Sequence, residues 1–124
     1  MSRHPVLFVS HGAPDVLLNA SATVAAWAQL GAELPRPKAI LVISAHWAAR
    51  EPTVSTAATP DTIHDFGGFP PALYAMNYPA PGAPALAARV RELLAAASLP
   101  NAQVPDRGLD HGAWIPLKAM YPAA

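Results

Sequence analysis

Two short apolar runs, at residues 6–10 and 39–44, are the clearest feature of the hydrophobic pattern. Both are continuous rather than alternating, both contain β-branched residues, and both end at a serine. Continuous apolar runs of this length, bounded by turn residues, are typical of buried strands. We therefore predict a β-strand at each run.

Between the runs, apolar residues recur at helical spacing, at Val24, Trp27, Ala28 and Leu30. Asn19 or Ser21 precedes them as a candidate N-cap, and Gly31 follows them as a candidate stop. A strand, a helix and a second strand within about 40 residues predict a βαβ unit, whose parallel strands are joined by a right-handed crossover.

The remaining pattern predicts further short strands and helices. Residues 52–56 alternate and are β-branched, as at a sheet edge, and residues 103–104 are a second short strand candidate. Residues 84–97 form the clearest helix, and shorter helical segments are predicted at residues 72–76 and 113–121. The apolar face of the clearest helix consists of Leu86, Val90, Leu93 and Leu94. The chain is thus predicted to have an α/β fold, a partial three-layer arrangement with a mostly parallel central sheet flanked by helices.

The length allows one domain, residues 1–124, and the composition narrows the classes of partner. Lysine plus arginine and aspartate plus glutamate number 8 each, so the chain lacks the basic surface of a nucleic-acid-binding protein or a polybasic membrane anchor. Cysteine is absent, so a metal would be bound by nitrogen and oxygen ligands. The first apolar run is far too short for a signal peptide or a membrane span, which predicts a cytoplasmic location.

The low fraction of charged residues and the abrupt end of the sequence both suggest that further polypeptide belongs to this fold. Only 13% of the residues are charged, against about 25% in typical soluble domains. The chain ends at Ala124, shortly after Tyr121. We expect some apolar surface to be covered by a partner or by additional polypeptide, and we expect the chain to be truncated.

Each apolar run is followed closely by a histidine, His11 after the first and His46 after the second. Neighbouring parallel strands lie about 4.8 Å apart, and their carboxyl ends meet at the sheet edge where open α/β sheets bind ligands. Two neutral imidazoles at this edge form a candidate site for a divalent metal. Gly12 allows a close approach beside His11, and Trp47 is predicted to shield His46 from water. The alternative is a pair of strand-end histidines that make ordinary hydrogen bonds.

Two later histidines have acidic and flexible neighbours. His64 and Asp65 lie in a loop with a Gly-Gly pair and two phenylalanines, a composition typical of a loop that closes over a pocket. A solvated loop histidine is the alternative there. His111 follows Asp110 in a glycine-containing turn, and a histidine beside a carboxylate suits proton transfer near neutral pH. A structural turn histidine is equally compatible with that spacing.

The sequence does not match the motifs of other common enzyme classes. The sequence contains no nucleotide-binding glycine motif, no HExxH and no GxSxG. Ser10 and Ser44 precede the histidines but lack the context of a nucleophile elbow. A zinc hydrolase would require a general-base carboxylate, for which Asp15 and Asp65 are the candidates, and neither is well placed by its spacing.

Five short motifs occur in order along the chain: Ser10-His11-Gly12, Ser44-Ala45-His46-Trp47, IHDFGGFP at residues 63–70, YPAPG at residues 78–82, and LDHGAW at residues 109–114. Together they resemble the class III extradiol ring-cleavage dioxygenases, in particular the branch that includes 4,5-DOPA extradiol dioxygenase. Each motif alone is weak evidence, whereas five in order indicate the family.

The resemblance implies a mononuclear non-haem site with Fe(II), or Zn(II) in its place, which binds a DOPA-like catechol through both hydroxyl oxygens and opens the ring with O2. It implies that His11 and His46 are metal ligands and that His111 is a catalytic group near the substrate or oxygen. The resemblance also assigns a set of residues to the pocket or to the surroundings of the ligands, namely His64, Asp65, Trp47 and Asp110.

The chain departs from the family in length. Members are much longer, and their C-terminal half adds further histidines, including another metal ligand and an acid/base histidine, whereas no histidine follows His111 here. The resemblance therefore covers the N-terminal half only, and the predicted fold lacks its C-terminal half. We expect ring cleavage to require a complementing C-terminal half or self-association. The alternative is a non-catalytic metal-binding or interaction module that needs a partner subunit.

Overall fold

Four α-helices and two short β-strands make up the regular structure of residues 3–124, the part of the chain that this computed structural model describes. The predicted helices at residues 84–97 and 113–121 and both predicted short strands are confirmed. The helices are α1 (Ala22–Glu33), α2 (Pro71–Tyr74), α3 (Pro84–Ala96) and α4 (His111–Met120), preceded by a 3-10 helix (Pro14–Leu18), and the strands are β1 (Thr53–Ser55) and β2 (Ala102–Val104).

The two strands pair in parallel, with Val54 opposite Gln103. Helices α2 and α3 lie between them in the sequence and provide the long crossover connection that parallel strands require. A further parallel bridge joins Thr62 to Leu109, which brings the loop after β1 beside the residues that precede α4. The parallel strands and their flanking helices confirm the α/β fold class.

Helix α1 begins at a predicted cap and ends beyond the predicted stop. The Ser21 hydroxyl accepts a hydrogen bond from the backbone N–H of Val24 (3.2 Å), as expected for an N-cap. Gly31 does not end the helix, which continues to Glu33. A Cβ at residue 31 would overlap the carbonyl oxygen of Met120 and lie 2.7 Å from its carbonyl carbon. Gly31 therefore marks the close approach of α1 to α4 rather than a helix end.

The hydrophobic core lies where α1 and α4 pack together. It consists of Trp27, Leu73, Tyr78, Trp114, Ile115, Met120 and Tyr121. Within the core, the Tyr78 hydroxyl donates a hydrogen bond to the carbonyl oxygen of Tyr121 (2.8 Å), and burial raises the pKa of Tyr78. These contacts fix the position of α4, whose first residue belongs to the site described below.

The two apolar runs at residues 6–10 and 39–44 do not form the predicted strands. Neither run takes part in a strand or bridge among the residues described, and Val6, Phe8 and Ile43 are at least 91% exposed. A strand is held by backbone hydrogen bonds to a neighbouring strand, and within residues 3–124 neither run has one. The predicted βαβ unit is therefore wrong as a hydrogen-bonded unit, although its helix forms and its two histidines still meet.

None of the helices in residues 3–124 is long and apolar enough to cross a membrane. The longest, α3, has 13 residues, whereas a spanning helix needs about 20. The cytoplasmic location stays a prediction of the sequence.

Candidate metal centre

Three histidines from distant parts of the sequence meet beside the N-terminus of α4. One ring nitrogen each of His11, His46 and His111 lies within 4.8 Å of the other two. The ring centroids are 4.8 Å apart for His11 and His46, 5.1 Å for His11 and His111, and 4.1 Å for His46 and His111. The structure thus brings His11 and His46 together as predicted, and it adds His111, which the spacing of the sequence did not place with them.

A different local structure positions each histidine. His11 precedes Gly12, whose φ of 63° lies in the left-handed region that glycine adopts without strain. His46 lies in a tight turn that follows the second apolar run. His111 is the first residue of α4, directly after the N-cap Asp110. A segment that ends at a left-handed glycine, a tight turn and a helix start therefore build the cluster.

The Nε2 atoms of His11 and His46 are 2.8 Å apart. Without a metal, this distance is a hydrogen bond in which one ring donates and the other accepts. Two nitrogens bound to one ion at about 2.1 Å and at a right angle would be about 3.0 Å apart, so only a small shift separates the two arrangements. Because imidazole nitrogen suits zinc and iron, the pair fits a divalent transition metal.

The surroundings favour the neutral form of His11. Burial lowers the pKa of His11, and the neighbouring rings of His111 and His46 lower it further, while Asp110 and Asp65 oppose the shift more weakly. A neutral imidazole is the form that binds metals. The cluster is open on one side, since His46 is exposed whereas His111 is only 7% exposed.

Asp65 holds His111 through a single oxygen. Asp65 Oδ1 accepts a hydrogen bond from the backbone N–H of His111 (2.9 Å) and also lies 2.9 Å from His111 Nδ1. The ring contact does not meet the criteria of a hydrogen bond, since His111 Nδ1 has no hydrogen-bond partner. Burial raises the pKa of Asp65, but the contacts with His111 outweigh burial and hold that pKa below its ordinary value. With Nδ1 against Asp65, Nε2 is the ring nitrogen left for an ion or a substrate.

Asp110 links α4 to the segment before His46. Its carboxylate is buried, with the residue 3% exposed, and it caps α4 by accepting from the backbone N–H of Ala113 (3.2 Å). The Ser44 hydroxyl donates to Asp110 Oδ1 (2.6 Å), and Arg107 donates to Oδ2 (2.9 Å). The predicted association of Asp110 with the site is thus a contact through Ser44, not a contact with a histidine ring.

Trp47 and His64 lie at the margin of the cluster. The guanidinium carbon of Arg107 is 5.2 Å from the centroid of the Trp47 ring, a cation–π distance. Because His46 is exposed, the predicted shielding of His46 by Trp47 is not present. His64 Nε2 is 2.7 Å from a main-chain carbonyl oxygen just after α2. Of the adjacent pair His64 and Asp65, only Asp65 contacts the histidine cluster.

Three residues without a predicted role also contact the site: Ser44, Arg107 and Gly112. Ser44 begins the motif Ser44-Ala45-His46-Trp47, but the sequence suggested no role for its hydroxyl other than that of a nucleophile. The zinc-hydrolase alternative gains no support, because Asp65 is engaged by His111 and Asp15 is not part of the metal-ligand cluster found in residues 3–124.

The chain matches known proteins over nearly its whole length. It is 51% identical over 126 residues to "4,5-DOPA dioxygenase extradiol" of Escherichia coli (strain K12), a match that covers 99% of this chain and 45% of that protein. It is 46% identical to the protein of the same name from Beta vulgaris, over 94% of this chain and 45% of that protein. The chain thus spans about 45% of the length of these relatives.

A solved structure and a family model agree with these relatives. The crystal structure of an uncharacterized protein from Escherichia coli K12 superimposes with a TM-score of 0.62 at 42% identity, over 82% of this chain and 36% of that one. The family model of the catalytic LigB subunit of aromatic ring-opening dioxygenase matches residues 2–124. The resemblance drawn from the five motifs is confirmed, and the chain belongs to the LigB family of aromatic ring-opening dioxygenases.

Proposed function

We propose that this chain forms the metal-binding part of an extradiol dioxygenase that opens catechol-type rings, such as that of DOPA, with O2. The observation that carries the proposal is the cluster of His11, His46 and His111 in a chain that matches a ring-opening dioxygenase family. The name of the Escherichia coli relative supports DOPA as the substrate class.

In this proposal His11 and His46 hold the metal, Fe(II) in the active protein with Zn(II) as an alternative occupant. Their Nε2 atoms are already 2.8 Å apart, and the lowered pKa of His11 keeps its ring neutral for binding. A bound ion of this kind supplies a Lewis acid for the catechol hydroxyls and a route for electrons to O2.

His111 is the group best placed to move a proton. Asp65 lies against Nδ1 and holds the backbone N–H, so Nε2 remains to accept a proton from a substrate hydroxyl and to return it. The proposal thus separates two ligands from one proton-transfer residue within a single cluster.

Phe66 supplies an aromatic surface beside this proton-transfer residue. The ring centroids of Phe66 and His111 are 5.8 Å apart with perpendicular planes, and Phe69 packs edge-on against Phe66 at 5.5 Å. A flat aromatic substrate gains from edge-to-face or offset contacts with such rings. The loop that carries Asp65 therefore contributes both the orientation of His111 and an apolar wall.

The activity test includes the part of the Escherichia coli relative that this chain does not match. That polypeptide is mixed with this chain and Fe(II) under anaerobic, reducing conditions, and DOPA and O2 are then added. We expect the yellow ring-opened product, and we expect none when the chain carries His11→Ala and His46→Ala. Equal turnover in both mixtures would contradict the ligand assignment. A complex that binds Fe(II) but opens no catechol ring would contradict the function.

A second candidate function is the binding of further polypeptide without catalysis by this chain alone. The observation that favours it is the apolar surface at residues 6–10 and 39–44, where Val6, Phe8 and Ile43 are almost fully exposed. Exposed apolar patches of this kind ordinarily mark a surface that other polypeptide covers. We propose that the occupant of this surface is polypeptide equivalent to the part of the relatives that lies outside the match.

A binding experiment with the same two polypeptides tests this second candidate. Analytical ultracentrifugation is expected to show a one-to-one complex that Phe8→Asp weakens. Leu99→Asp is the matched control, because Leu99 is also apolar and exposed but follows α3 in the sequence and belongs to neither run. Self-association of this chain that Phe8→Asp abolishes would instead identify a second copy as the occupant. The absence of any complex would contradict the candidate.

A further inference from the structure

Gly112 lies directly against the ring of His46. It is the second residue of α4, and a Cβ at this position would lie 2.9 Å from His46 Cδ2 and 2.8 Å from Ser44 Oγ, well inside the ordinary contact distance of about 3.5 Å between carbon atoms. Cδ2 is bonded to Nε2, the atom that lies 2.8 Å from the Nε2 of His11. The absence of a side chain at Gly112 therefore determines how closely the His46 ring can approach α4.

Ser44 holds the backbone of the same histidine. Its hydroxyl donates to Asp110 Oδ1 (2.6 Å) and accepts from the backbone N–H of His46 (3.2 Å). Asp110 is a fixed point, since it is 3% exposed and caps α4. His46 itself is exposed, so core packing contributes little to its position. The hydroxyl of Ser44 is thus the main polar link between the turn that carries His46 and the helix that carries His111.

We propose that Ser44 and Gly112 are positioning residues that hold His46 Nε2 opposite His11 in an arrangement ready for a metal ion. The inference rests on the proposed function, in which His11 and His46 are the ligands. An exposed histidine on a turn samples several rotamers, and ordering it on binding costs conformational entropy. Contact with Gly112 and the link through Ser44 reduce that cost before the ion arrives.

The test compares the affinity of the variants for Co(II), measured by its visible absorption in anaerobic titrations of the full chain. Ser44→Ala and Gly112→Ala are expected to weaken Co(II) binding by about tenfold or more, the size of effect that outer contacts of metal ligands have elsewhere. Ser44→Thr keeps the hydroxyl and is expected to bind like the unmodified chain. Ser10→Ala is the matched serine control, because Ser10 is exposed and precedes His11.

The glycine control is Gly67→Ala, since a Cβ at Gly67 would meet nothing within 4 Å. Thermal unfolding without metal separates positioning from folding. Ser44→Ala removes a donor to the buried Asp110 carboxylate and is expected to lower the unfolding midpoint, whereas Ser44→Thr, which keeps that donor, is expected to retain it. Gly112→Ala is expected to leave it unchanged or raise it, because alanine favours a helix over glycine and the atoms that must move belong to side chains. For Gly112→Ala, a drop in affinity with an unchanged or higher midpoint supports the positioning role. For Ser44→Ala, the drop must appear in chain that is still folded at the temperature of the titration.

A second readout needs no metal. Proton NMR of the unmodified chain is expected to show a nuclear Overhauser effect between Gly112 Hα and His46 Hδ2, and Ser44→Ala is expected to weaken it. If Ser44→Ala changes neither the Co(II) affinity nor the nuclear Overhauser effect between Gly112 and His46, the inference is overturned. If the unmodified chain binds no Co(II) but the effect is present and Ser44-dependent, the proposed metal site is wrong and the positioning of His46 stands.

Discussion

Replacement of Gly31 by alanine sets two physical effects against each other. Gly31 lies inside α1, where alanine is favoured over glycine by about 1 kcal/mol on helix propensity alone. The same methyl group would overlap the carbonyl oxygen of Met120 and lie 2.7 Å from its carbonyl carbon and 2.9 Å from its Cα. These are backbone atoms of α4, so no side-chain rotation relieves the overlap.

The size of the steric overlap decides whether Gly31→Ala stabilises or destabilises the folded chain. Carbon atoms in contact are ordinarily about 3.5 Å or more apart, and the overlap with the carbonyl oxygen is closer still, so α1 and α4 would have to separate by about 1 Å or more. A gap of that size forfeits roughly a quarter to a half of each dispersion contact across the interface, and overpacked sites typically lose about 1–3 kcal/mol. Since the interface includes Trp27 and Met120 of the core, we expect a cost near the upper end. After the propensity gain, Gly31→Ala lowers the free energy of unfolding by about 1–2 kcal/mol.

Urea unfolding followed by far-UV circular dichroism measures this change. Ala28→Gly on the exposed face of the same helix is the control, and it is expected to cost about 1 kcal/mol through propensity alone. Both substitutions therefore destabilise, although propensity by itself predicts opposite signs. A Gly31→Ala chain more stable than the unmodified one would refute the close packing of α1 on α4.

Three further predictions concern the elements that hold the cluster. Trp114→Phe removes the hydrogen bond from Trp114 Nε1 to the Ile63 carbonyl oxygen (2.9 Å) and is expected to cost about 2 kcal/mol or more in urea unfolding; no measurable loss would contradict that contact. Because the folded pKa of Asp65 is below its unfolded value, its stabilising effect is present above about pH 4 and is lost as the pH falls through the folded pKa. The stability difference between the unmodified chain and Asp65→Asn should therefore shrink on acidification, and a difference that is constant with pH would disprove the role of the charge. Ser21→Ala is expected to cost about 1 kcal/mol through loss of the N-cap, whereas Ser98→Ala, outside any helix, serves as its comparison in the same unfolding series.

The helices and short strands were predictable because their signals are local. The apolar face of α3, the Ser21 cap of α1 and the β-branched residues of β1 act over a few residues each, so the sequence alone contains the information. The runs at residues 6–10 and 39–44 carry an equally strong local signal. A strand, however, also needs a hydrogen-bonded neighbour, and no local pattern supplies one.

Gly31 shows a second limit of local patterns. Glycine near the end of a helical segment indicates either a stop or a close approach, and these alternatives differ only in what lies opposite. The opposite residue is Met120, 89 positions away along the chain by its number. Contacts at that separation depend on the packing of two helices, which the spacing of apolar residues does not specify.

The candidate site was predictable only where local patterns in the sequence indicated it. His11 and His46 each follow an apolar run, and this shared context allowed their meeting to be predicted. His111 joins them because Asp110 starts α4 at that point, and no local pattern aligns this helix start with the segments that carry His11 and His46. The sequence placed both His64 and Asp65 in or near the pocket, whereas of these two residues only Asp65 contacts the histidine cluster.

The most direct test of the metal centre is the binding of Fe(II) by the chain under anaerobic, reducing conditions. We expect the unmodified chain to bind one Fe(II), and we expect replacement of both His11 and His46 by alanine to abolish binding. His111→Ala is expected to retain the ion, because His111 is proposed to act on protons rather than as a ligand. Fe(II) binding that is unchanged in the double variant would contradict the assignment of His11 and His46 as ligands.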